Sequence, residues 1–508
     1  MDYKHRKSRV LCLGNNTLDT DTVTRKLAAE SGSECHGLLS EIDTPLAPNS
    51  YQLPGYYHSS VYDIELGRLI DIGNEFDLVV MLAQPVQQWS HPDAFYNTIR
   101  VVQSVGAPTR FLDPSFAATI DYFKRLVDTN TSFCAFPFIE LLVDRGNTTV
   151  CCRSTRAITP IQELRNYATD PNYQVIRQKM LLGQRVPEHC GSCYELEDLG
   201  IVSARKQETV EWANRLGFKT VQDFCEVKKP VYFEVRASNK CNLQCRMCGP
   251  DSSHLIDREY RQIGLIDRFQ SPAKKFGGGF DIVEFENLKK LYIAGGEPLM
   301  MSETYDFLDR CIQEGRTDFE LLINTNGTKL SEKFKQVLVH FSNLQFIFSI
   351  DGYSDLNHYI RWPSNWNVIV ENWQYLRDQG HKVTVNTTVS IYNIHRLHEL
   401  YQFIDDRFPG TLVHCQIVES PCYLSPWLFP DRELALQSLS LVKRLPCYQN
   451  DALFASSIDG YLAFFNSEKT YSKATLTEFF RFNDRLDQSR SIQLRDHDPV
   501  LDSWRQHC

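Results

Sequence analysis

Residues 231–248 read VYFEVRASNKCNLQCRMC, an apolar strand, a short polar link, and then Cys241, Cys245 and Cys248 in CxxxCxxC spacing. A structural zinc or a closed cubic iron–sulfur cluster takes four thiolates, and this loop supplies three. The only nearby side chain that could complete a zinc set is His254. The alternative is that three thiolates wrap one face of a [4Fe–4S] cube and leave its fourth iron without a protein ligand. An open coordination position of that kind is where reaction takes place in metal sites.

Working outward from this loop, a repeat sets in. Apolar strands are expected at 231–237, 288–296, 319–327, 344–352, 382–390 and 411–419, with helical patterns near 251–263, 302–314, 331–340, 366–379 and 393–407. Six strands alternating with five helices predict successive right-handed βα units, and hence a curved parallel sheet. Functional groups in such sheets gather at the carboxyl ends of the strands. The unusual residues fall there: the cysteines after the first strand, GGEP (295–298) after the second, TNG (325–327) after the third and SIDG (349–352) at the fourth.

The rest of the 508-residue chain divides by composition. Residues 1–128 read as a small α/β domain of unknown role, with strands at 9–14, 76–85 and 109–114 and helices at 21–30 and 92–105. Residues 129–228 are cysteine-bearing and irregular, with a hairpin expected around Gly146. Residues 229–425 form the βα repeat, and 426–508 a helical extension with no dense motif. The formal net charge is −9 and no basic domain is appended, which argues against a nucleic-acid partner. About five apolar residues precede Gly14, too few for a signal-peptide core, and no run of roughly 18 apolar residues occurs. The expectation is a cytoplasmic protein with no membrane partner. In a reducing compartment, clustered cysteines among the 16 present favour metal over disulfides.

CNLQCRMC (241–248), AGGEPL (294–299), NTNGT (324–328) and SIDG (349–352), in this order on a βα repeat, resemble the radical S-adenosylmethionine (SAM) enzymes over residues 230–425. The resemblance implies a partial (βα)6 TIM-like barrel. It also implies that SAM chelates the open iron of a [4Fe–4S] cluster on Cys241, Cys245 and Cys248, and that electron transfer into SAM gives a 5′-deoxyadenosyl radical that takes a hydrogen atom from substrate. By matched position, Gly295, Gly296, Glu297 and Pro298 face the SAM amino group. Ser349, Asp351, Asn386 and Thr388 hold ribose and carboxylate, with Asn326 of NTNGT beside them. Arg361 pairs with the SAM carboxylate, and Ile417 or Val418 flanks adenine. The family often has an aromatic residue before its third cysteine; here it is Met247, whose thioether can cover the same face.

A second group, Cys134 in CAFPF, Cys151 and Cys152 in CCR, and Cys190 and Cys193 in CGSCYELE, resembles the SPASM/twitch auxiliary-cluster module, placed here before the barrel. The resemblance implies a second, fully ligated [4Fe–4S] cluster on Cys134, Cys152, Cys190 and Cys193. Cys151 is the alternative to Cys152, which is favoured because a hairpin end turns only one of two neighbours inward. A four-cysteine zinc site fits the same spacing. The expected substrate is a peptide or protein side chain. The alternatives are a small molecule (amino acid, sugar or nucleoside derivative), RNA modification, or a non-catalytic cluster scaffold. Cys415 and Tyr292 are candidate hydrogen donors or substrate contacts, and a flavodoxin or ferredoxin type of donor is the implied electron source.

Overall fold

The structure is a computed structural model. It describes five strands before residue 112 and then the chain from Pro114 to Cys508, apart from residues 145, 155, 199–202, 268–278, 419 and 468–471. The helices expected at 21–30 and 92–105 lie outside the described residues. Two compact units form: Met1–Phe138 with Val175–Val227, and Ile139–Gln174 with Lys228–Cys508. This division cuts through the module expected at 129–228.

In the first unit, β1 (Arg9–Gly14), β2 (Glu34–Leu39), β3 (Tyr57–His58), β4 (Leu78–Leu82) and β5 (Thr109–Phe111) make a sheet of order β3-β2-β1-β4-β5. Every pairing in it is parallel. Sequence reading found β1, β4 and β5 but not β2 or β3. Helices α1 (Pro114–Thr129), α2 (Pro187–Asp198) and α3 (Ala204–Leu216) follow. Arg205 of α3 is buried and pairs with Glu197 of α2 at 2.6 Å, while donating to the Phe133 carbonyl at 2.6 Å. This ties the Cys134 segment to both helices.

The second unit is built on an eight-stranded sheet of order β13-β12-β11-β10-β9-β8-β6-β7. The six expected strands appear as β8 (Tyr232–Arg236), β9 (Lys290–Ala294), β10 (Glu320–Thr325), β11 (Leu344–Ser349), β12 (Lys382–Val389) and β13 (Val413–Ile417), each paired in parallel with the next. Between them lie α4 (His254–Gln262), α5 (Ser302–Gln313), α6 (Glu332–Leu338), α7 (Trp366–Asp378) and α8 (Leu397–Arg407). The expected hairpin exists as β6 (Glu140–Asp144) and β7 (Asn147–Thr149), but β6 also pairs in parallel with β8 and so extends the sheet. Residues 161–167, beyond the hairpin, form turns and bends.

Period-two alternation sorts each strand's side chains. Phe233, Val235, Leu291, Ile293, Leu321, Ile323, Phe346, Phe348, Val383 and Val385 share one buried core with Phe307, Leu308, Phe334, Trp373 and Tyr401 of the covering helices. The opposite face carries Glu234, Tyr292, Asn324, Ser349, Asn386 and His414. Beyond the barrel come α9 (Arg432–Val442), α10 (Ala452–Asn466) and α11 (Lys473–Arg490), whose Leu439, Phe454 and Phe479 join the same core. No helix among the described residues is long and apolar enough to cross a membrane.

Candidate active site

The cysteine loop leaves the end of β8 and is pinned from two sides by its own backbone. On one side the Gly296 N–H donates to Ser238 O and the Glu297 N–H to Lys240 O, both at 2.8 Å. On the other, the Gln244 N–H donates to Trp362 O at 2.6 Å and the Arg246 N–H to Ile360 O at 2.9 Å. The approach to GGEP is so close that a Cβ on Gly296 would stand 2.2 Å from Lys240 O, and Gly295 sits at φ +118°, a conformation that suits glycine.

The three thiols gather within this frame. Cys241 and Cys245 are buried with Leu243, and Met247 and Cys248 pack against them. The Cys248 thiol bonds to Cys245, which holds Cys245 below the usual thiol range and Cys248 above it. Burial, and then the nearby Cys245, push Cys241 up to about 12. Among the described residues, no three His, Cys, Asp or Glu close round a single-ion site. His254, the candidate fourth zinc ligand, uses Nδ1 to accept the Cys241 N–H at 3.3 Å. The donor set is three soft sulfurs packed with Leu243 and Met247, a chemistry that fits a cluster face.

Glu297 is fully buried, and its carboxylate is already engaged. Oε1 accepts from Thr325 Oγ1 at 2.7 Å and from the Leu299 N–H at 3.1 Å, and Oε2 accepts the Asn326 N–H at 2.7 Å. It laces the end of β9 to the end of β10. Asn326 passes the connection on, donating to Asn242 Oδ1 at 2.9 Å, while Asn242 donates to Thr328 Oγ1 at 2.8 Å. Asn242, inside the cysteine loop, was not singled out from sequence. Pro298 opens the one-turn helix Pro298–Met300 that follows.

Burial raises the Glu297 carboxyl from its ordinary 4.5 to about 7. Between those values the folded metal-free protein holds more protons than the unfolded chain, so this group's contribution to stability falls as pH rises through that window. Glu297→Gln is expected to flatten that slope. It should also cost about 1–3 kcal/mol, because its amide meets donors where the carboxylate accepted them. Urea midpoints across pH 5–8 measure both effects; an unchanged slope in the variant counts against the assignment.

Asp351 is also fully buried. It lies 2.5 Å from Arg361 Nε, and its Oδ1 accepts the Thr388 N–H at 2.7 Å. Arg361 in turn places Nη1 at 3.9 Å from Cys245 Sγ. In this structure, then, the pair expected to meet SAM is an internal one that aims a guanidinium at a thiol. Ser349 Oγ donates to Asn324 Oδ1 at 3.1 Å. Asn386, opposite Ser349 in the register, keeps a buried Oδ1 with no partner. That orphaned acceptor, and the close cradle at Gly296, are features a bound polar ligand would satisfy.

Two expectations on β13 are corrected. Cys415 faces the helix layer and meets Tyr401 Oη of α8 at 2.9 Å, so it is not aimed into the barrel. Ile417 shares that face by period two and packs half-buried on the core rather than flanking an open site. The other face of the strand carries the exposed His414 and Gln416. Tyr292 does lie on the concave face, near Glu234 and Arg236. There Glu234 Oε1 accepts Arg236 Nε at 2.8 Å and pairs with Nη2 at 2.6 Å, while its buried Oε2 has no partner.

The second cysteine group is divided between the two units. Cys190 and Cys193 sit on α2 three residues apart, on one helix face, and are buried with Cys134 in the first unit. Burial, and then the neighbouring Cys190, raise Cys134 well above the usual thiol range; Cys190 is pushed up to about 12. Cys151 and Cys152 belong to the second unit. The sequence argument favoured Cys152, but Cys151 is the buried neighbour. Cys152 keeps solvent contact while its thiol lies in electrostatic reach of Glu234, Glu140 and Arg236 of the barrel sheet.

Residues 235–404 match the family model described as the Radical SAM superfamily. A GTP 3′,8-cyclase from Aliarcobacter butzleri is 29% identical over 110 residues, 22% of this chain and 31% of its own length. An AdoMet-dependent heme synthase from Nitratidesulfovibrio vulgaris is 24% identical over 197 residues, 37% of this chain and 48% of its own length. The chain thus spans between about a third and a half of the curated relatives it matches. Among solved structures, Streptococcus suis SuiB bound to S-adenosylmethionine aligns at 15% identity and TM-score 0.29, covering 50% of this chain and 55% of that one. The protein anSMEcpe with bound AdoMet aligns at 14% identity and TM-score 0.32, covering 45% and 59%. The segment holding CNLQCRMC, GGEP and the strand ends around them, residues 235–404, is thus the part of the chain that is similar to the radical SAM superfamily.

Proposed function

We propose that this protein is a radical SAM enzyme whose open [4Fe–4S] cluster is held by Cys241, Cys245 and Cys248. The observation that carries this reading is the packing of three cysteines into one small apolar cluster, backed by GGEP at a distance only glycine tolerates. When bound, the cluster and SAM would supply a 5′-deoxyadenosyl radical for hydrogen abstraction. The protein's own residues do the holding. The backbone of Gly295 and Gly296, with Ser349, Asn386, Thr388 and Met247, is assigned to SAM. Glu297, Asn326 and Asp351 fix the strand ends and Arg361. Arg361 sets positive charge beside Cys245 and favours its thiolate.

The proposed substrate is a peptide or protein side chain, presented to the concave face where Tyr292, Glu234 and Arg236 stand. Cys134, Cys190 and Cys193 are assigned to a second cluster, serving as electron relay or substrate anchor, and a flavodoxin or ferredoxin type of protein supplies electrons. The small-molecule reading draws support from the curated relatives, one of which is by name a cyclase of GTP.

The test is anaerobic reconstitution with iron and sulfide, reduction, and incubation with SAM and deuterated candidate substrates. The expected result is 5′-deoxyadenosine that carries deuterium from the true substrate. Reconstituted, reduced protein that leaves SAM intact over hours overturns the enzyme reading. Deuterium arriving only from small molecules overturns the peptide assignment.

A further inference from the structure

The cysteine loop has a third support, which enters from the far end of the chain. The two residues flanking Cys245, Gln244 and Arg246, point away from the thiols and are each caught by a buried charged group. Arg246 is 1% exposed. Its Nη1 donates to Asn483 Oδ1 at 2.7 Å, its Nη2 lies 2.5 Å from Asp487 Oδ1, and its Nε donates to Tyr359 O at 2.9 Å. The guanidinium lies 3.6 Å from the Tyr359 ring centroid. Asn483 is fixed by Tyr392 Oη at 2.8 Å, and Asp487 by Tyr359 Oη at 3.1 Å and the Leu494 N–H at 2.8 Å. Gln244 Nε2 donates to Glu259 Oε2 at 2.9 Å, and Glu259 is forked by Arg490 at 2.9 and 2.7 Å. Asn483, Asp487 and Arg490 occupy the last two turns of α11.

We infer that the C-terminal helix α11 is a positioning element of the cluster loop, with Asp487 and Asn483 holding Arg246 and Arg490 holding Gln244 through Glu259. The inference rests on the reading that Cys241, Cys245 and Cys248 carry the open cluster. It extends that reading to a segment whose sequence shows no motif. A buried guanidinium without its carboxylate is costly, so the loop cannot shift at Arg246 without breaking the pair. Asp487 also cancels a positive charge on the residue next to Cys245. Without that carboxylate the surroundings of the cluster turn more positive, which favours its reduced, more negative form.

The experiment compares Asp487→Asn, Arg246→Lys and Asp484→Asn as reconstituted full-length proteins, using redox titration and the rate of iron loss to a chelator. Asp484 is an exposed neighbour on α11, paired with Arg505. Asp487→Asn is expected to release iron about 10-fold faster, at the low end for outer partners of metal sites. Its midpoint should rise by about a tenfold change in the one-electron equilibrium, roughly 59 mV. Arg246→Lys keeps the buried charge but loses the fork, so iron loss should quicken with the potential unmoved. Asp484→Asn should match the wild type in both.

If Asp487→Asn fails to fold, the iron-loss rate of Arg246→Lys decides. A wild-type cluster whose potential and iron loss are unchanged in folded Asp487→Asn, or shifted equally in Asp484→Asn, overturns the clamp alone. A wild-type protein that takes up no iron at Cys241, Cys245 and Cys248 overturns the parent reading, and the clamp falls with it.

Discussion

The Cys245→Ala protein is expected to form no open cluster and to release 5′-deoxyadenosine only at background. Cys245 is the middle thiol of CxxxCxxC and the one the surroundings prepare most fully. It is 5% exposed, it takes a bond from Cys248, and Arg361 Nη1 stands 3.9 Å from its sulfur. A guanidinium at that range favours thiolate over thiol, the form a metal binds. Two remaining thiolates cannot hold three corners of a cube, and serine offers a harder, less acidic oxygen, so Cys245→Ser should fail as well. Loss of cluster absorbance together with loss of product measures the effect. Cys422→Ala, at an exposed cysteine outside both groups, should change neither. A Cys245→Ala protein that still cleaves SAM would remove the cluster from this loop altogether.

The barrel was legible in the sequence because its strands are short apolar runs whose helix-facing residues must all join one core. Phe233, Val235, Leu291, Ile293, Leu321 and Ile323 announce the period before any pairing is known. The cysteines and GGEP were legible for a related reason: rare residue types at fixed spacing fall where parallel strands end. What escaped the reading was contact over long sequence distances. Arg246 and Asp487 are 241 positions apart, and nothing near either residue shows that a carboxylate in a polar helix will reach a guanidinium between two cysteines.

The same limit applies to roles. Glu297 and Asp351 read as ligand contacts because they are charged and sit at strand ends, yet Glu297 meets donors from the end of β10, and Asp351 meets the Thr388 N–H and the Arg361 guanidinium. Cys415 failed on the choice of face. Alternation says that Val413, Cys415 and Ile417 share one side of β13, and Tyr401 marks that side as the helix layer.

Gly296→Ala should retain the fold and lose about 10²-fold in SAM cleavage, the size of loss expected when a reacting group is misplaced by about 1 Å. The added Cβ would meet Lys240 O at 2.2 Å, the Lys240 carbonyl carbon at 2.6 Å and the Asn239 carbonyl carbon at 2.8 Å. All three are backbone atoms, so no side chain can swing aside. Relief must come from moving the loop or the end of β9. The loop is held behind by Trp362 O and Ile360 O, and β9 is laced to β10 through Glu297. Strain therefore concentrates at Lys240, the residue before Cys241, and shifts that thiol relative to Cys245 and Cys248. Overpacking of this kind costs about 1–3 kcal/mol, which a unit of this size can absorb while staying folded. Gly249→Ala, at the other end of the motif, meets nothing within 4 Å and should leave cleavage unchanged. The pair of variants, assayed for iron content, melting temperature and 5′-deoxyadenosine, separates close approach at GGEP from a general intolerance of the loop. Equal activity in the two would mean that the contact between Gly296 and Lys240 does not set the geometry of the site.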